Sequence, residues 1–145
     1  MTAPAPASSA YELEWINGYV GVPFLENGRD RNGWDCWGLV LAVYREQLGV
    51  ELPDWQWAEP FGLSSKFRAF GDAIGQVLLH GHAGELEAPE PWAIALILNG
   101  GRPHHVGVVA GGGVLHAARY GGTVFEPRAR FLRTYSEATW WRWRK

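Results

Sequence analysis

The sequence predicts an α+β fold, and three observations carry that prediction. Apolar residues in the first half recur at helical spacing. From Trp92 onward they fall instead in short runs bounded by glycines, with the period of strands. The two patterns do not interleave, which excludes a βαβ succession and points to N-terminal helices packed on an antiparallel sheet of about five strands. With 145 residues and 47% hydrophobic content, the chain suits one domain with a core of its own.

Residues 1–10 are mostly Ala, Pro, Ser and Thr and read as a flexible N-terminal segment, leaving 11–145 as the single domain. With Ser8 or Ser9 as N-cap, "AYELEWINGYVG" predicts a helix whose apolar side holds Leu13, Trp15 and Ile16 and which ends at Gly18 or Gly21. Residues 21–34 are rich in turn formers and read as a loop. After Asp35 comes the clearest helix: Cys36, Leu39, Val40, Val43, Tyr44 and Leu48 form an apolar stripe, and Gly49 stops it. A weaker helix, interrupted by Gly71 and Gly75, is expected from Lys66 to about Leu79. "WAIALIL", "HVGVVA", "VLHAA" and "GTVFEP" then read as an antiparallel meander, and "ATWWRWRK" as a last strand.

Composition narrows the function classes. A formal charge of −2 and a pI near 6.2 give no electrostatic case for nucleic acid as the main partner. The single cysteine excludes an internal disulfide. "MTAPAPASSA" lacks the basic start and apolar stretch of a signal peptide, and no run reaches the ~18 apolar residues of a membrane span. The expectation is a protein made in the cytoplasm without an export signal of its own. Nine tryptophans exceed what a core of this size needs, so some indoles belong either to a cleft or contact surface or to a Trp-heavy core. Trp55 and Trp57 could line a glycan or peptide groove or anchor a long loop, and the basic "WWRWRK" end could meet an anionic polymer or be a solvated terminus.

Cys36 has two readings. It heads the apolar stripe, as a core-filling thiol would. It also sits in the first turn of a helix, where unpaired N–H groups favour a thiolate and can hold an oxyanion. A nucleophilic cysteine needs a base, normally histidine, and His80, His82, His104, His105 and His116 are available. His105 and His116 can be tested by register. A two-residue turn at Gly111–Gly112, or a four-residue turn over 110–113, sets His116 opposite Gly107 with His105 diagonal to it on the same sheet face. A three-residue turn puts the two rings on opposite faces. Gly107 opposite His116 leaves room for a ring or a substrate. His104 alternates to the other face. A zinc site from His80, His82, His104 and His116 would rest on "HGH" and "HH" pairs with no second cysteine behind it, so no metal or cofactor is expected. Asp35 reads as the N-cap of the Cys36 helix.

"GWDCWGLV" followed by "HVGVVAGGGVLHA" resembles the NlpC-type cell-wall cysteine peptidases, a papain-like group, and is closest to the short versions encoded with phage tails and phage-derived particles. The resemblance extends over about residues 11–143, including "DCWGLVLAVYREQLGVELPDW". It implies a papain-like NlpC fold with Cys36 as nucleophile, His105 as base and His116 as the orienting residue. It further implies an oxyanion and substrate region at the Cys36 backbone, Phe24, Asp35, Trp37 and Gly107. The implied function is a peptidoglycan hydrolase cleaving stem peptides, at bonds such as D-γ-glutamyl to diamino acid. Tail or tail-like hub proteins would be its partners, and a phage tail or gene-transfer-agent-like particle would carry it to the wall during DNA delivery. Two positions depart from the family pattern. Phe24 stands where many members have a tyrosine in a "PY" context, leaving Tyr19 as a weak substitute, and Trp37 replaces the usual serine. The alternative of another class is a weakly active or inactive structural tail-tip protein with the same fold.

Overall fold

The computed structural model describes residues 10–54 and 83–144. The expected helix at Lys66–Leu79, together with Trp55, Trp57, His80 and His82, lies outside the described residues. Helix α1 (Ala10–Asn17) forms as expected, but its inward residues are Trp15 and Ile16, followed by Tyr19 just beyond its end, while Leu13 is exposed. The segment read as a loop carries a small hairpin, β1 (Arg29–Asp30) and β2 (Gly33–Trp34).

Helix α2 (Cys36–Val43) starts at Asp35, whose side chain accepts from the Gly38 N–H. It continues into a π-helical turn (Tyr44–Leu48) that ends at Gly49, held at φ 68° in the left-handed region glycine tolerates. The sequence stripe predicts one buried face, yet every residue of α2 is buried. The helix has neighbours on both sides: the sheet below, and the α1 segment and Pro53 around it. Leu48, the last residue of the stripe, is exposed.

Among the described residues the main sheet has six strands in the order β3-β8-β4-β5-β6-β7, in keeping with the sheet of about five strands expected. They are β3 (Ala83–Leu86), β4 (Ile94–Asn99), β5 (Arg102–Ala110), β6 (Gly113–Ala118), β7 (Gly122–Pro127) and β8 (Ala138–Trp143). The additional strand is β3, which pairs antiparallel with β8. Strands β4 to β7 form the expected meander, and β8 returns to lie between β3 and β4. A short helix, α3 (Arg128–Thr134), joins β7 to β8.

Pleating gives the sheet two apolar layers. Val106, Val108, Leu115 and Ala117 face α2 and the aromatic side chains Trp15, Tyr19, Trp34 and Trp37. Ala95, Ile97, Val109 and Val114 face the other way, onto Phe131 of α3 and Trp140. Trp34 closes the first layer, donating its indole N–H to Thr123 Oγ1 at 2.8 Å, and Thr123 donates in turn to the Val22 carbonyl at 3.0 Å.

Candidate active site

The hairpin between β5 and β6 settles the histidine register. Ala110 pairs with Gly113 and Val108 with Leu115, so the turn is the two-residue one at Gly111–Gly112, with Gly111 at φ 54°. Gly107 consequently comes opposite His116, and His105 falls on the same face. The rings meet edge to face with centroids 5.1 Å apart, and His105 Nε2 lies 2.9 Å from His116 Nδ1. A Cβ on Gly107 would lie 2.8 Å from the Leu115 carbonyl oxygen and 3.0 Å from His116 Cβ, so glycine there is a requirement of close strand approach. His104 is the residue displaced at the β4/β5 irregularity, where Ile97 pairs with His105 and Leu98 with Pro103.

The line of ring nitrogens does not stop at His116. Its Nε2 lies 2.8 Å from Oε1 of Glu126 on β7, a residue the sequence reading passed over. It was within reach of a register argument. His116 pairs with Val124, and Glu126, two residues on, shares its face. From α3, Phe131 stands edge-on to His116 at 5.2 Å, and beyond its end Tyr135 stacks on His105 at 5.7 Å with the planes 26° apart. Burial holds His105 well below the ordinary histidine value, with His116 and His104 adding to the shift. Burial lowers His116 as well, against the pull of the Glu126 carboxylate.

Cys36 approaches the same strand from the other layer. Helix α2 packs on the Val106–Val108 face, whereas His105 and His116 stand on the face toward α3. The thiol meets β5 at the middle of the strand, where the Val106 N–H, one residue after His105, points to its sulfur together with the Trp37 N–H. Burial and the Asp35 charge push the thiol well above its usual range, and those N–H groups and Arg29 oppose the shift. Cysteine and histidine pair thus come to one short stretch of β5 from opposite layers.

Asp35 is an architectural acid. Besides capping α2 it accepts from the Asn27 N–H at 2.9 Å and from Arg29 Nη1 at 2.9 Å, and it is 2% exposed. Burial raises its carboxyl against these partners. Trp37 belongs to the core: its ring is fully buried and its indole donates to the Pro53 carbonyl, so that side chain does not line a substrate surface. Phe24 is half-buried beside Trp34, with the Arg119 guanidinium 5.1 Å over its ring. Tyr19 cannot replace the missing hydroxyl freely, because its own is bound to Glu46 at 2.6 Å and to Gln47 at 3.2 Å. Among the described residues no group of three or more His, Cys, Asp or Glu is placed to hold a metal ion, and no helix is long and apolar enough to cross a membrane.

A cysteine-headed helix against an antiparallel sheet that carries paired histidines defines a papain-like class of fold. Within that class the NlpC/P60 family matches residues 21–143, and the chain belongs to this family of cysteine peptidases. The fold is similar to the NlpC/p60 domain of the peptidoglycan hydrolase SagA, with a TM-score of 0.58 and 18% identity over 92% of this chain and 96% of that one. An NlpC/P60 protein of Bacillus cereus ATCC 10987 superposes with a TM-score of 0.60 at 19% identity, over 97% of this chain and 40% of that chain. A protein of Staphylococcus aureus subsp. aureus Mu50, described as similar to lipoprotein and of the NLP/P60 family, gives 0.53 at 18% identity over 96% and 44%. The chain therefore spans less than half the length of the latter two. No curated protein matches it by sequence.

Proposed function

We propose that the protein is a peptidoglycan hydrolase, a cysteine endopeptidase or amidase acting on the stem peptides of the wall. The observation that carries this reading is the line from His105 Nε2 to His116 Nδ1 and from His116 Nε2 to Glu126, set on the strand whose next N–H faces the Cys36 sulfur. The SagA domain, a peptidoglycan hydrolase by description, supports the substrate class.

In this mechanism His105 takes the Cys36 thiol proton through its Nδ1 as sulfur bonds to the amide carbonyl carbon. The oxyanion is held by the Cys36 backbone N–H at the start of α2. Collapse of the tetrahedral intermediate breaks the C–N bond, and His105 returns the proton to the leaving amine. Water, deprotonated by His105, then attacks the thioester, releasing the carboxylate and restoring the thiol. Burial raises the Cys36 thiol and lowers His105, and both shifts favour the neutral forms of the two groups.

The bond cleaved in this proposal is the D-γ-glutamyl to diamino acid amide, and access to the wall comes through a phage tail or tail-like particle whose hub proteins dock the domain. The motif resemblance supports both. The test is digestion of purified peptidoglycan by the wild type and by Cys36→Ala, with soluble fragments read by mass spectrometry. Stem-peptide fragments from the wild type alone are expected. Equal release from both proteins overturns the enzymatic reading. The second reading, a structural tail component, is favoured by one observation: Phe24 brings no hydroxyl, and that of Tyr19 is already committed to Glu46.

A further inference from the structure

We infer that Glu126 is a positioning residue of this site: its carboxylate sets the ring tautomer of His116 and, through it, that of His105, leaving the His105 Nδ1 lone pair as the base. The inference rests on the reading of His105 as base, and its geometry is independent of the substrate.

A carboxylate oxygen only accepts hydrogen bonds, so the 2.8 Å contact with Glu126 Oε1 requires the hydrogen on His116 Nε2. Burial keeps His116 below its ordinary value, so near neutral pH the ring carries one proton and its Nδ1 is a lone pair. That lone pair lies 2.9 Å from His105 Nε2, which must therefore be the donor. His105, also neutral, is then left with an unprotonated Nδ1. One acid on β7 thus determines which nitrogen is basic on β5, two strands away.

The surroundings hold this line in place. Gly107 lets His116 sit against β5, Phe131 and Tyr135 shield the rings, and His116 itself is 1% exposed. Among the described residues, Arg130 brings its Nε to 4.0 Å from Oε2 of Glu126, leaving Oε1 to His116. If Nδ1 of His116 carried the hydrogen instead, His105 Nε2 would have to accept it. The proton of His105 would then move to Nδ1, where it blocks abstraction from the thiol.

Nitrogen-15 NMR of the histidine rings in the wild-type protein at pH 7 tests this directly. The expected result is protonated Nε2 and unprotonated Nδ1 on both His105 and His116. A proton on Nδ1 of either ring overturns the inference, and no variant has to fold for that measurement. In Glu126→Ala the two rings should become tautomer mixtures, and kcat on peptidoglycan fragments should fall on the order of 10- to 100-fold with KM nearly unchanged. Unaltered ring spectra in a folded Glu126→Ala also overturn it. Because the spectra need no turnover, a protein that digests no wall yet shows the expected tautomers rejects the proposed activity and leaves the role of Glu126 standing.

Discussion

Replacing Gly107 with alanine probes the strand contact beside the histidine pair. The new Cβ would lie 2.8 Å from the Leu115 carbonyl oxygen, 2.8 Å from Val114 Cγ1 and 3.0 Å from His116 Cβ. Ordinary contacts there need about 3.5–4 Å, so β5 and β6 must separate by several tenths of an ångström. One of the three atoms is backbone, and the buried layer between sheet and α3 gives little room to yield. Overpacking of this kind costs about 1–3 kcal/mol. A chain of 145 residues melts with an entropy of roughly 0.3 kcal/mol/K, so about 2 kcal/mol lowers Tm by about 7 °C. The same separation lengthens the 2.9 Å contact between His105 and His116, and hydrolysis should fall by more than the loss of folded protein explains. Urea unfolding and wall digestion read the two effects, with Gly18→Ala as control because its Cβ would meet only the Trp15 carbonyl oxygen, at 3.3 Å. A Gly107→Ala protein as stable and as active as the wild type would refute the claim that glycine sets the strand approach.

Other outcomes follow from the same geometry. His105 is held below the ordinary value of 6.5, so it stays neutral into mildly acid solution. The acid limb of kcat/KM should therefore lie below pH 6.5, with activity lost as pH falls through the folded-state value, and a limb at or above 6.5 would contradict the burial argument. Asp35→Asn removes a charge that raises the Cys36 thiol, so alkylation by iodoacetamide at pH 8 should become faster, and an unchanged or slower rate counts against that coupling. Asp35→Ala also loses the cap to Gly38 and should cost about 1–2 kcal/mol in denaturant unfolding, more than the asparagine variant. Trp34→Phe leaves Thr123 Oγ1 without its indole donor and should destabilise by about 1–3 kcal/mol, measurable by the same titration; no change would mean that the bond contributes little.

Local chemistry made part of this structure legible in the sequence. Asp35 before a run of apolar residues and Gly49 after it mark α2, and both act as caps. Glycines 111 and 112 between two alternating runs restrict the hairpin to few registers, one of which brings the histidines together. Longer-range features were not legible. Strand β3, "AGEL", has no alternation of its own and exists because β8 pairs with it. Helix α3, "RARFLRT", has few apolar residues, and Phe131 gains its meaning from the layer under it. Full burial of α2 depends on Pro53 and the α1 segment closing over it, which no periodicity within the helix encodes. Glu126 escaped notice because an acid beside Pro127 reads as a strand end, until the His116–Val124 pairing places it on the histidine face.

The place of β8 has a consequence for synthesis. Residues 138–143 are made after every other described strand of the sheet, yet they fill the slot between β3 and β4, two strands made some forty or more residues earlier. Until that slot is filled, β4 has one bare edge and β3 has no partner in the sheet. Closing it brings together segments far apart along the chain, a slow step in folding because the intervening chain must first be ordered. The cysteine and both histidines are all translated before that step. A nascent chain thus carries the cysteine and both histidines before it has the sheet that aligns them, and the candidate site is assembled only when β8 docks.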